Sequence, residues 1–188
     1  MYKYSWNAST NISNAIGQGE VQTTPIQLAN FTAAIANKGY FFTPHILKDI
    51  DKRPIENASF TEKKQTTIDK KHFSPVIEAM YEVFKTGTGE WSQVKGIEIC
   101  GKTGTSENYT IVNGKRIKLE DHSILVAFAP KDNPKIAIAI FVENGGYGSR
   151  IAAPITSLMI EKYLNGEISE ATVDRETSML NISLQEQY

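Results

Sequence analysis

The sequence predicts an α+β fold, an antiparallel sheet packed by helices. Three observations carry this. Two β-rich runs, residues 124–128 and 136–142, are separated only by a short turn between Pro130 and Pro134. Asn113-Gly114, the strongest short hairpin signal, stands between two further strand-like segments, 109–112 and 116–119. Apolar residues recur at helical spacing after Thr24, after Ser74-Pro75 and after Pro154.

Composition bounds the rest. A chain of 188 residues suffices for one domain with a real core. It is 40% hydrophobic and 22% charged, ordinary values for a globular chain. Its formal net charge of −1, without a basic stripe, excludes nucleic acid as an expected partner. The single cysteine, Cys100, excludes an internal disulfide and reads as a buried strand residue. The longest apolar runs, 124–129 and 136–142, are too short to span a bilayer.

In chain order, residues 1–22 are rich in Ser, Thr and Asn and read as an irregular lead-in. Thr24, Pro25 and Gln27 form a capping box with proline in the first turn. Leu28, Phe31, Thr32 and Ile35 follow as the buried stripe, and Gly39 stops the helix. Residues 40–42 and 46–47 read as short edge strands around Thr43-Pro44. Residues 49–71 form a charged, solvated excursion. The helix opened by Ser74-Pro75 carries Val76, Met80, Val83 and Phe84 on one face, and Thr86-Gly87-Thr88-Gly89 turns out of it. A strand-like run, 96–100, leads into Gly101-Lys102-Thr103-Gly104-Thr105. Beyond the sheet, Gly145, Gly146 and Gly148 make a corner. The helix from Pro154 faces the sheet with Ile155, Leu158, Met159 and Leu164, and Gly166 ends it. The domain is expected to span residues 1–166, with a polar tail over 167–188.

The stretch 101–105 admits two readings. Residues 96–103 satisfy the phosphate-loop pattern G-x-x-x-x-G-K-T, but Ile97, Glu98, Ile99 and Cys100 are not a flexible nest and no helix start follows. As a strand, Thr103 and Thr105 share a face with their hydroxyls free for a carboxylate, and Lys102 adds a cation. Gly104 lets another backbone lie close. This set suits an extended peptide docking as an added strand through its terminal carboxylate. The Thr105 N–H would serve as half an oxyanion hole. Alternation alone puts Lys102 on the other face. His45, His72 and His122 have no ligand spacing, so neither metal nor cofactor is expected, and His122 reads as a structural histidine.

K-T-G is one of three signatures of penicillin-binding proteins and serine β-lactamases, with S-x-x-K and S-x-N. Its flanks make the likeness specific. Ile16-Gly17-Gln18-Gly19-Glu20, Thr24-Pro25-Ile26-Gln27-Leu28-Ala29, Ala34-Ile35-Ala36-Asn37-Lys38-Gly39, Asp121-His122-Ser123, Ala127-Phe128-Ala129-Pro130 and Val142-Glu143-Asn144-Gly145-Gly146 resemble class B penicillin-binding proteins, of the penicillin-binding protein 2 type. The resemblance runs from about Tyr4 to Leu164. It implies the C-terminal part of a transpeptidase domain of the penicillin-binding protein / serine β-lactamase-like fold.

The resemblance also implies the chemistry. The parent would be a serine-type peptidoglycan D,D-transpeptidase. Its partners would be the D-Ala-D-Ala stem peptide, β-lactams and membrane proteins of the cell-elongation complex. It would act on the outer side of the inner membrane, anchored by an N-terminal helix. Lys102 and Thr105 would be catalytic, and Lys102, Thr103, Gly104 and Thr105 would bind substrate. The nucleophilic serine and the S-x-N motif are expected upstream of this chain, which would then be inactive alone. Ser92-Gln93-Val94-Lys95 and Ser5-Trp6-Asn7 imitate those motifs without their setting. Two rivals remain: a β-lactamase or β-lactam sensor, marked by release of hydrolysed antibiotic, and a non-catalytic peptide-binding module, marked by pairing at an open sheet edge.

Overall fold

The computed structural model describes residues 6–19, 21–47, 49–54 and 57–184. Tyr4, Ser5 and Glu20 of the quoted motifs lie outside them. The elements are α1 (Ala8–Ala15), α2 (Pro25–Ala36), β1 (Tyr40–Phe41), β2 (Asp49–Ile50), β3 (Arg53–Pro54), α3 (Ala58–Thr61), β4 (Lys64–Gln65), α4 (Phe73–Lys85), β5 (Cys100–Ser106), β6 (Tyr109–Val112), β7 (Lys115–Lys118), β8 (His122–Ala129), β9 (Ile136–Val142), α5 (Ala152–Asn165) and α6 (Val173–Leu180).

The central sheet has the order β5-β8-β9 and is antiparallel throughout. Cross-strand partners share a face. Gly101, Thr103 and Thr105 lie opposite Ala127, Leu125 and Ser123, while Cys100, Lys102 and Gly104 lie opposite Phe128, Val126 and Ile124. The sheet is covered by helices on both sides. On the first face, Leu125, Ala127 and Ile138 pack on Ala152, Ala153 and Ile160 of α5. On the second, Cys100 and Phe128 pack on Ile35 and Ala36 of α2 and on Phe73, Ile77 and Met80 of α4. Phe84, in the last turn of α4, belongs to the first cluster, so the chain passes from one face to the other there.

Local chemistry explains these elements. Thr24 accepts the Gln27 N–H at 3.4 Å while its own N–H donates to Gln27 Oε1 at 2.8 Å, closing the capping box of α2. Asn113 and Gly114 hold φ of 50° and 76° and close the β6–β7 hairpin. Gly166 takes φ of 83° past the end of α5. Cys100 is fully buried, and that burial pushes its thiol up to about 12, out of nucleophile range.

Several expectations need correction. The lead-in contains α1, capped by Asn7 Oδ1, which accepts the Thr10 N–H at 3.1 Å. Residues 96–99 are not strand, and β5 starts at Cys100. Residues 46–47 form no strand either, and Ile46 is fully exposed. Phe31 (60% exposed), Val76 and Met159 sit outside the cores, because helix phase is set by Thr32 with Ile35, by Phe73 with Ile77, and by Ala152 with Ile160.

The segment after Gly166 is folded back on the domain. Glu161 is buried on α5 and accepts the hydroxyls of Ser169 at 2.6 Å and Thr172 at 2.5 Å. Arg175 of α6 donates to the carbonyls of Trp91 and Gln93 and to Ser157 Oγ, each at 3.0 Å. A planar guanidinium thereby caps the loop that feeds β5. Burial alone would raise the Glu161 pKa, but the hydrogen bonds from Ser169 and Thr172, helped by the Arg175 charge, hold it below the ordinary 4.5. A carboxyl depressed in the folded state contributes stability that is complete above 4.5 and is lost as pH falls through its lower folded value. Amide exchange across 168–180 is expected to accelerate in that acid window before the sheet amides do, and Glu161→Gln is expected to remove the pH dependence.

Candidate functional site

Among the described residues, strand β5 is paired with β8 along one edge and with no strand along the other. At its other edge, Thr103 O accepts Lys102 Nζ at 2.8 Å and Thr105 O accepts Gln18 Nε2 at 3.0 Å. The Glu107 N–H donates to Gln18 Oε1 at 3.2 Å. In a strand the N–H and C=O of one residue point to the same side. The N–H of Thr105 therefore points away from β8, along the open edge. This is the geometry that an added strand or an oxyanion requires.

The side chains follow the alternation. Thr103 and Thr105 stand on the α5 face and Lys102 starts on the other. Its ammonium nonetheless curls to the edge, as the bond to Thr103 O shows. Lysine's long stem spans what alternation separates. The cation and the outward Thr105 N–H therefore lie along one edge, with the Thr103 and Thr105 side chains on the adjoining α5 face. No nest or following helix surrounds Lys102, which sits within a seven-residue strand, so the phosphate-loop reading fails.

The structure adds residues that the motif does not contain. Thr88 Oγ1 lies 2.9 Å from Thr103 Oγ1, so the turn after α4 orients the first threonine hydroxyl. Ser123, opposite Thr105, is fully buried; it donates to Tyr147 O at 3.2 Å and accepts the Ala152 N–H at 3.1 Å. Gly148 lies against the strand itself. A Cβ there would sit 2.5 Å from both Gly104 O and Ile124 O. A Cβ at Gly104 would meet nothing nearer than Ile124 Cβ at 3.4 Å. Within this chain, the close backbone approach expected at Gly104 thus depends on glycine at 148. Gly101 is equally constrained, with Phe84 Cε2 2.7 Å from its virtual Cβ.

His122 and Ser92 take structural places. His122 Nδ1 accepts the Asn144 N–H at 3.2 Å, and its ring packs against Phe141. Ser92 is buried in a 3₁₀ turn beneath Arg175, with Lys95 exposed beyond it, which is no setting for a nucleophile and its base. The sequence marks Thr88 and Gly148 only as turn residues, with no signal for their contacts to β5, and Gln18 stands out only within its Gly-Gln-Gly string.

Gly148→Ala forces a methyl into backbone atoms, and overpacking of this kind costs about 1–3 kcal/mol. It is expected to lower the melting temperature of the protein, whereas Gly104→Ala should change it little. Equal losses would show that Gly148 does not support the strand.

Comparison with known proteins identifies the family. The family model "Penicillin binding protein transpeptidase domain" matches residues 2–161. The peptidoglycan D,D-transpeptidase MrdA of Acinetobacter baumannii is 34% identical over 171 residues, covering 81% of this chain and 25% of that protein. The peptidoglycan D,D-transpeptidase PbpA of Mycobacterium tuberculosis is 33% identical over 162 residues, covering 81% of this chain and 32% of that one. The chain thus spans between a quarter and a third of these relatives. Among solved structures, PBP2 of Pseudomonas aeruginosa superposes with a TM-score of 0.70 at 33% identity, covering 90% of this chain and 36% of that chain. The imipenem acyl-enzyme of penicillin-binding protein A from M. tuberculosis gives 0.65 at 31% identity, covering 80% and 33%. The matched span holds the whole sheet and its open β5 edge, and on these grounds the chain belongs to the penicillin-binding protein transpeptidase family, within its penicillin-binding protein 2 type.

Proposed function

We propose that the protein carrying this chain is a serine-type peptidoglycan D,D-transpeptidase and that β5 is its substrate-binding strand. The observation that supports this most directly is that the Lys102 ammonium, held on Thr103 O, and the outward Thr105 N–H lie along an edge of β5 that no other strand pairs among the described residues. An extended D-Ala-D-Ala stem peptide pairs with that edge. Its terminal carboxylate meets the Thr103 and Thr105 hydroxyls, and its scissile carbonyl oxygen takes the Thr105 N–H. Gly104 keeps the strand low beneath the peptide.

In this reading a serine hydroxyl contributed from outside residues 1–188 attacks the carbonyl of the penultimate D-alanine. The serine proton passes through a relay that Lys102 helps to organise, and reaches the amine of the terminal D-alanine as its peptide bond breaks. The acyl group then passes to the amine of a neighbouring stem, which loses a proton and frees the serine. A β-lactam acylates the same serine as its ring C–N bond breaks, and the ring nitrogen takes up the serine proton. The chain by itself holds the binding strand and does not react. The site belongs to the cell envelope, where the parent works with the membrane proteins of the elongation complex. Among the described residues, no helix is long and apolar enough to cross a membrane.

The test is covalent labelling by a fluorescent penicillin, read by intact mass. The full-length protein is expected to gain one adduct and this chain none. Lys102→Met in the full-length protein is expected to slow acylation by about 10²-fold or more, the scale of a lost proton-transfer group. Acylation at the wild-type rate would overturn the assignment of Lys102. An adduct on this chain alone would overturn its assignment as a non-reacting half.

A further inference from the structure

Gln18 reaches the open edge of β5 from the loop after α1. Its carboxamide donates Nε2–H to Thr105 O and accepts the Glu107 N–H at Oε1. These are the outward groups of alternate residues, and a strand added at this edge bonds the same groups. The side chain thus stands in for one residue of a docked strand.

The surroundings show a contact that is held loosely. The backbone of Gln18 is anchored separately, its N–H donating to Ser13 O at 2.9 Å. Gly17 before it has φ of 77° and open space beside it. The Gln18 side chain is exposed, so both of its bonds exchange readily with water. Strand β5 does not need the contact for its position, because it pairs with β8 at every residue from Cys100 to Ser106.

We propose that Gln18 is a plug on the docking edge, displaced when a ligand places an amide N–H against Thr105 O. This rests on the transpeptidase reading and adds a specificity device to it. Ligands that offer an amide N–H compete with the carboxamide. Ligands without one leave it in place. Displacement requires only rotation of the side chain, since the main chain of Gln18 stays bonded to Ser13.

The experiment compares acylation rates of the full-length protein with penicillin G, which carries an acylamino side chain, and with imipenem, which has none. Gln18→Ala is expected to raise the penicillin G rate by roughly threefold to tenfold, the scale of one or two exposed hydrogen bonds, with the imipenem rate unchanged. Gln18→Met keeps the length without either hydrogen bond; it serves where the alanine variant does not fold and is expected to shift the ratio of the two rates the same way. An unchanged or lower penicillin G rate, or an equal gain with both drugs, overturns the proposal. A purely structural clamp would slow both drugs alike. A wild-type protein that takes up neither drug overturns the transpeptidase reading together with this inference, whereas normal wild-type labelling with a flat ratio overturns this inference alone.

Discussion

One-sided pairing of β5 governs the site. Seven residues of the strand are registered against β8, and this fixes which backbone groups face inward and which face the open edge. A slip by one residue would exchange the two sets. Thr103 and Thr105 would turn toward α2 and α4, and the Thr105 N–H would be spent on β8. The fold therefore has to hold register, and it does so through packing on both faces. Leu125 and Ala127 are fully buried on one face and Phe128 on the other, so any slip would bury the wrong neighbours.

Two close contacts reinforce that register. Phe84 presses on Gly101 at the start of β5, and Gly148 lies on Gly104 and Ile124 at its middle. Neither position has space for a side chain, so each contact is possible at a single place along the strand. Ser123 then links the sheet to the 147–152 segment by two hydrogen bonds. Arg175 holds the loop before β5 from below through the carbonyls of Trp91 and Gln93. The polar segment after α5 thereby supports the strand from a distance, and Glu161 is the buried anchor for that support.

The parts legible in the sequence are those whose signal is local. The capping box at Thr24, the Asn113-Gly114 turn and the alternating run of β9 each specify their own structure over a few residues. The K-T-G-T string was legible because its flanks matched a family pattern. What escaped depends on distant partners. Nothing near Gly148 announces that it will lie on a strand more than forty residues earlier. Thr88 acquires its role only from the 2.9 Å approach of Thr103. Helix α1 was hidden by its Ser and Asn content, which favours caps and turns, and here one of those residues is indeed its cap. Helical spacing alone assigns Phe31 to the buried stripe, but its side chain lies one position outside the sheet-facing arc.

The electrostatics of the edge follow from the same arrangement. The hydrogen bond that holds the Lys102 ammonium at the strand goes to a neutral carbonyl, Thr103 O, which orients the charge without neutralising it. An ammonium offers three donors, and among the described residues one of them is used by Thr103 O. The Thr103 hydroxyl is already turned by Thr88, and the Thr105 backbone is held by β8 pairing at its neighbours. The groups that would meet a peptide carboxylate and an oxyanion are thus in place before any ligand arrives, so little ordering remains to be done on binding. Rigidity placed in the backbone and freedom left in an exposed side chain, Gln18, is a consistent division. The strand supplies fixed dipoles, and the exposed Gln18 carboxamide makes bonds that water can replace at little cost.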